Sequence, residues 1–115
     1  LWGGRLSSGI DCSGLTQIVY KIHGYALPRD SFKQVNAGKQ INLIDEAVKG
    51  DLLFFDNEKG EITHVGLLLK EGYIIHASGK VRIDRVDHQG IFNEDMRKYT
   101  HKLRTIRRIE VRSER

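Results

Sequence analysis

The order of hydrophobic patterns constrains the fold more than any other feature of this chain: helical periodicity comes first and a crowded series of strand-like runs follows. Leu15, Ile18, Val19 and Ile22 repeat at i, i+3, i+4 and i+7, the spacing of one apolar helix face, and Gly24 stops the run. A turn through Leu27-Pro28-Arg29-Asp30-Ser31 leads to a short second helix, which Ser31 and Gln34 would open as a capping box and Gly38 would end. Strand candidates then fall at 52–55, 62–69, 73–78, 81–86 and about 103–111, most of them separated by Gly- or Asn-rich turns. Helices ahead of closely spaced strands predict an α+β domain, with N-terminal helices packed on one face of an antiparallel sheet of about five strands.

Composition narrows the class. At 115 residues the chain is one domain, large enough for an ordinary core. Its single cysteine can form no internal disulfide and is too few for a cysteine-based zinc site, so the thiol serves packing or chemistry. With 39% hydrophobic and 30% charged residues, the composition excludes a disordered or membrane-spanning chain, and no signal peptide or transmembrane run is visible. The chain opens at Leu1-Trp2-Gly3-Gly4 without an initiator Met, which reads as a start inside a longer protein. Net charge is +4, and the basic residues gather late, with eight Lys or Arg from Arg97 to Arg115 against Glu110 and Glu114. A solvated face of a terminal strand accounts for that cluster. The alternative is a patch for an anionic polymer, either nucleic acid or an acidic wall glycan, and the scarcity of interleaved aromatics weighs against nucleic acid.

The lone cysteine sits where a Gly-punctuated loop becomes a helix, in Gly9-Ile10-Asp11-Cys12-Ser13-Gly14. Three residues before Leu15, Cys12 lies on the predicted apolar face, and the free N–H groups of a first helical turn favour its thiolate. Two histidines stand in adjacent apolar runs, His64 in 62–69 and His76 in 73–78. Each alone reads as a hydrogen-bonded, half-buried strand residue. As a pair they depend on hairpin register. With a three-residue loop Lys70-Glu71-Gly72, His76 faces Gly66 and the two imidazoles become diagonal neighbours on one side of the sheet. A two-residue loop, Glu71-Gly72, would send them to opposite faces. Thiol chemistry asks for a base near the sulfur and a partner that orients the base, and Cys12, His64 and His76 supply those three parts. Gly66 leaves room beside the imidazole. A histidine metal site is a weaker reading, since no third clustered ligand is evident among His23, His88 and His101.

In chain order, Trp2-Gly3-Gly4, Asp11-Cys12-Ser13-Gly14, Leu27-Pro28-Arg29-Asp30-Ser31, Gly50-Asp51-Leu52, His64-Val65-Gly66 and Ile75-His76-Ala77-Ser78 resemble the NlpC-type cell-wall cysteine peptidases over about residues 2–111. That resemblance implies a reduced papain-like fold and a hydrolase of peptidoglycan stem peptides or muropeptides. The bond cut would be that between γ-D-glutamate and a diamino acid such as meso-diaminopimelate. It implies Cys12 as nucleophile, His64 as base and His76 as third member, with no cofactor and no metal. It also implies a bacterial envelope location, periplasmic or secreted, or a cytoplasmic recycling role, and a C-terminal catalytic domain preceded in some members by SH3-like domains.

Further roles follow by position. Asp11 matches the acid that binds a free L-alanine ammonium, though it is equally suited to cap the Cys12 helix. Ser13 would position substrate, or stand as a plain first-turn residue. Arg29, Asp30 and Ser31 resemble the segment that holds the free carboxylate of D-glutamate. The family's usual tyrosine near the oxyanion site would precede Leu1, which leaves the Cys12 backbone N–H as the donor at hand. The alternatives are an amidase or acyltransferase on the same fold, and a catalytically silent wall-binding module using the basic C-terminal face.

Overall fold

Residues 11–110 are described by the structure, a computed structural model. Helix α1 (Cys12–Ile22) and the single turn of α2 (Ser31–Gln34) come first. Among the described residues seven strands follow: β1 (Lys39–Ile41), β2 (Leu52–Asp56), β3 (Ile62–Lys70), β4 (Tyr73–Ser78), β5 (Lys80–Asp87), β6 (Gly90–Asn93) and β7 (Lys98–Arg108). A short 3-10 turn, Ile44–Glu46, links β1 to β2.

The strands do not form the open sheet of about five that the sequence predicts. All pairings are antiparallel in the order β1-β7-β2-β3-β4-β5-β6, and β6 pairs back onto β7, closing six strands into a barrel. Strand β7 makes closure possible by its length. One edge of it carries β2 along Lys102–Arg107, while the other carries β6 along Lys98–Lys102 and β1 along Ile106–Arg108. The first five residues of β7, Lys98 to Lys102, carry no aliphatic residue, and β6 is only four residues long and begins with glycine, so neither announces a strand by apolar alternation.

Alternation along each strand divides the core in two. Leu53, Phe55, Leu68, Ile74, Val86, Ile91 and Ile106 fill the barrel interior. Leu52, Phe54, Val65 and Leu67 point outward and are covered by Tyr20, Leu27 and Ile109. Strand β2 serves both clusters, so Leu52 through Phe55 are all fully buried. Burying a Leu or Phe contributes about 1.5–3 kcal/mol, which makes this strand the centre of the fold's stability.

Helix α1 meets the barrel by a different face from the one its aliphatic residues predict. Ile22 is exposed and Leu15 and Ile18 only half-buried, whereas Ser13, Thr16 and Tyr20 are buried. Hydrogen bonds decide this. Thr16 Oγ1 donates to Gln34 Oε1 (2.8 Å), and Tyr20 Oη donates to the Gly50 carbonyl, so both hydroxyls are satisfied within the core. Gln34 is fully buried and forms no capping box. Its amide donates to the carbonyls of Pro28 (2.7 Å) and Ser13 (3.1 Å), tying α2 to the start of α1.

The β3–β4 hairpin combines both loop lengths considered from sequence. The turn is the two-residue one, Glu71 and Gly72, with Gly72 at φ 84°. Lys70 pairs with Tyr73, yet Leu68 pairs with Ile74, so Leu69 is an extra residue bulged out of the ladder. The bulge restores the parity that the short turn would have lost, and His76 pairs with Gly66.

Candidate active site

Helix α1 presents Cys12 at its first turn. Asp11 is the N-cap, its Oδ1 accepting from the Gly14 N–H at 2.8 Å. The half-buried Cys12 side chain packs against the outer cluster that includes Val65, the residue after His64. Burial raises the thiol pKa; the backbone N–H groups of Val65, Ser13 and Cys12 itself oppose this without overcoming it. The sequence expectation of a thiolate favoured by the helix start is therefore corrected. The N–H groups are in place, but desolvation outweighs them and the thiol pKa is raised, not lowered.

On the barrel side, His64 and His76 are both buried, on adjacent strands and facing inward. Their rings meet edge to face, with His64 Nε2 2.8 Å from His76 Nδ1. Gly66 permits this approach, because a Cβ built there would lie 2.9 Å from His76 Cβ and 2.6 Å from Ile74 Cδ1. The room that glycine leaves is thus taken up by its cross-strand neighbours. Burial, helped by the nearby His101 and His76, pulls the His64 pKa down to about 3. His76 is lowered too, burial outweighing the opposing pull of Asp84. At neutral pH both imidazoles are uncharged.

Two partners of this pair escape the sequence reading. Asp84 on β5 accepts from His76 Nε2 at 2.7 Å and is itself held by Arg82, whose Nε and Nη2 each lie 3.0 Å from a carboxylate oxygen. The alternation Arg82, Asp84, Val86 puts all three on one side of β5, and a β4–β5 register argument of the kind applied to β3–β4 could have found it. His101 on β7 stacks on His64 with centroids 4.1 Å apart and planes at 26°. Nothing local signals it, since only barrel closure brings β7 there. So a third histidine does join the cluster, contrary to the sequence reading. It joins as a stacked ring, and among the described residues no three His, Cys, Asp or Glu side chains converge on a point that could hold a metal ion. Burial brings the His101 pKa to about 4. With Thr63 and Thr100, His101 also lines an open cleft of about 670 Å³.

The remaining sequence candidates gather around Arg29. Its Nη1 donates to Ser13 Oγ (2.8 Å) and its Nη2 to Asp11 Oδ2 (3.1 Å), so one guanidinium joins the two residues that flank Cys12. Asp11 and Arg29 are each more than half exposed. Burial tends to raise the Asp11 pKa, but Arg29 and the Gly14 N–H outweigh it and hold the carboxyl below its usual range. Asp30 is the exposed N-cap of α2 and makes no side-chain capping bond, and Ser31 begins that helix half-buried.

Comparison with known proteins then places the chain. The sequence profile described as the NlpC/P60 family matches residues 1–104. The chain belongs to the NlpC/P60 family. Over 79 residues it is 47% identical to a γ-D-glutamyl-L-lysine dipeptidyl-peptidase of Bacillus subtilis, a match covering 67% of this chain and 26% of that relative. An NlpC/P60 family protein of Bacillus cereus has a similar structure, with TM-score 0.72 and 33% identity over 87% of this chain and 32% of that one. RipD of Mycobacterium tuberculosis, described as a non-catalytic NlpC/p60 domain adapted to peptidoglycan binding, matches with TM-score 0.67 and 28% identity over 89% of this chain and 68% of its own. The chain spans about a quarter of the length of the peptidases it matches, and this NlpC/P60 family includes both hydrolases and non-catalytic members.

Proposed function

We propose that this chain is the catalytic domain of a cysteine peptidase that hydrolyses peptidoglycan stem peptides between γ-D-glutamate and a diamino acid, with Cys12, His64 and His76 as its catalytic residues. The observation that carries the reading is the buried His64–His76 contact, on the strand whose Val65 belongs to the cluster that Cys12 packs against. In this mechanism His64 takes the thiol proton as Cys12 Sγ attacks the γ-glutamyl carbonyl carbon. The N–H groups of Cys12 and Ser13 face the developing oxyanion. His64 then gives its proton to the amine of the departing diamino acid, and water, activated by the same imidazole, releases the glutamyl acid from the thioester. His76 orients His64. A neutral thiol and a neutral imidazole suit this course, because charge separates only as the bond to carbon forms.

Substrate recognition is assigned to the ends of the peptide. The Asp11 carboxylate would meet the free ammonium of an N-terminal L-alanine, and Arg29, with Ser13, Asp30 and Ser31 near it, the free carboxylate of D-glutamate. The named activity of the Bacillus subtilis relative supports this substrate class, and a substrate of that kind would be met in the cell envelope or in the recycling of envelope peptides. No helix among the described residues is long and apolar enough to cross a membrane. RipD motivates the competing reading of a silent peptidoglycan-binding module. Incubation with L-Ala-γ-D-Glu-meso-diaminopimelate, followed by mass spectrometry, separates the two. The peptidase releases free diaminopimelate and its Cys12→Ala variant does not; an intact tripeptide that still binds the wild-type chain favours the silent module.

A further inference from the structure

The proposed mechanism uses three residues, yet the polar chain inside the barrel does not end at His76. It continues through Asp84 to Arg82, and register explains why: Gly66 pairs with His76, His76 with Arg82, and Ile74 with Asp84, which sets the four polar side chains on the inward face of three consecutive strands. Asp84 is 8% exposed and His76 1% exposed, so their 2.7 Å contact is shielded from water. Arg82 grips both carboxylate oxygens and reaches out to the exposed Asp95 at 3.4 Å. That grip, ahead of the burial that opposes it, holds the Asp84 carboxyl below its usual range.

An ionised carboxylate only accepts hydrogen bonds, and this fixes every proton on the chain. His76 Nε2 must carry its proton to Asp84. In the neutral ring His76 Nδ1 is then bare and can only accept, so the 2.8 Å contact requires the proton to sit on His64 Nε2. His64 Nδ1 is left without a proton, which is the state a base needs toward a thiol. His101, stacked on the face of His64, contributes no polar atom to this line, its Nδ1 being engaged by Thr100 Oγ1 at 2.9 Å.

We propose that Asp84 is a positioning residue which, acting through His76, locks both histidines as Nε2–H tautomers and so keeps the Nδ1 of His64 free to accept the Cys12 proton. The inference rests on the peptidase reading for its consequence in turnover, but not for the tautomers themselves. In serine-protease triads the loss of the orienting carboxylate costs about 10⁴-fold by allowing the wrong tautomer. Here the carboxylate acts one ring further away, and the corresponding expectation for Asp84→Asn is about 100-fold in kcat with KM little changed.

The test is a long-range ¹⁵N–¹H correlation spectrum of the histidine rings at pH 7, on the wild-type chain and on Asp84→Asn, with turnover measured in parallel. Expected are Nε2–H patterns for His64 and His76 in the wild type, a populated Nδ1–H form of His76 in Asp84→Asn, and the loss of kcat. Arg82→Gln, which keeps the carboxylate, should retain the wild-type pattern. A wild-type His76 protonated on Nδ1, or an Asp84→Asn protein with unchanged ring patterns, overturns the proposal whatever the activity. If no γ-D-glutamyl peptide is cleaved but the ring patterns behave as expected, the peptidase reading falls and the positioning role stands.

Discussion

The chemistry assigned to Cys12 depends on whether a neutral thiol and a neutral imidazole can work together. Burial pushes the Cys12 pKa up and the His64 pKa down to about 3, so neither group changes charge near neutrality. The expected kcat/KM profile is therefore flat from about pH 5 to 8, in place of a rise through the usual histidine value of about 6.5. The same shift makes a stability prediction. An unfolded chain binds a proton on His64 near pH 6.5, while the folded chain refuses it until about pH 3, so the unfolded state holds more protons in between. Stability is full above pH 6.5 and falls as pH drops, by at most about 1.4 kcal/mol per pH unit from this group; His64→Gln should lessen the slope in urea titrations at stepped pH. Arg29→Ala should raise KM about tenfold or more while leaving kcat within a few-fold, as expected for a lost charge-assisted contact to substrate. Steady-state kinetics on the tripeptide decides this, and an unchanged KM would return Arg29 to the role of a brace between Asp11 and Ser13. At this scale the sequence marked Cys12, His64 and His76 as candidates because each stands in a clear pattern, and the pairing of the two histidines was within its reach. Asp84 and His101 were hidden because their importance arises from pairing partners far along the chain.

Two elements carry the site. Strand β3 combines a two-residue turn with a bulge at Leu69, and together they set His76 opposite Gly66. Deleting Leu69 should remove the bulge while keeping Leu68 opposite Ile74 and Gly66 opposite His76, so that the histidine pair and turnover persist on a regular hairpin; near-UV circular dichroism and turnover would show both. Gly66→Ala tests the close approach directly. A methyl group within 3 Å of His76 Cβ and Ile74 forces both to move, with an expected loss of about 1–3 kcal/mol in unfolding free energy and a larger proportional loss in kcat. The sequence limited the hairpin to two loop lengths without resolving the bulge, because a bulge leaves no mark on apolar alternation. Helix α1 shows the opposite failure. Its aliphatic spacing was clear and its buried face was not, because Thr16 and Tyr20 gain hydrogen bonds from Gln34 and Gly50 that local sequence does not display.

At the level of the whole molecule, closure of the barrel brings His101 onto His64 and joins the late basic residues to earlier acids. Arg108 donates to both oxygens of the buried Asp51 at 3.0 Å, and Arg104 meets Asp56 at 3.1 Å. Much of the apparent basic patch on β7 is thereby spent within the fold. Asp51→Ala should cost about 2–3 kcal/mol in urea unfolding, since it strips Arg108 and the Val48 N–H of one shared acceptor. Closure itself was not legible, because β6 is short and β7 begins in polar residues. The central claim, that Cys12 attacks the γ-glutamyl carbonyl, is tested most directly by acid-quenching the protein during turnover of L-Ala-γ-D-Glu-meso-diaminopimelate and mapping its mass by peptide. Expected are an L-Ala-γ-D-Glu acyl group on the Cys12 peptide, free diaminopimelate, and no adduct in Cys12→Ala. Release of diaminopimelate by the Cys12→Ala protein at the wild-type rate would contradict it.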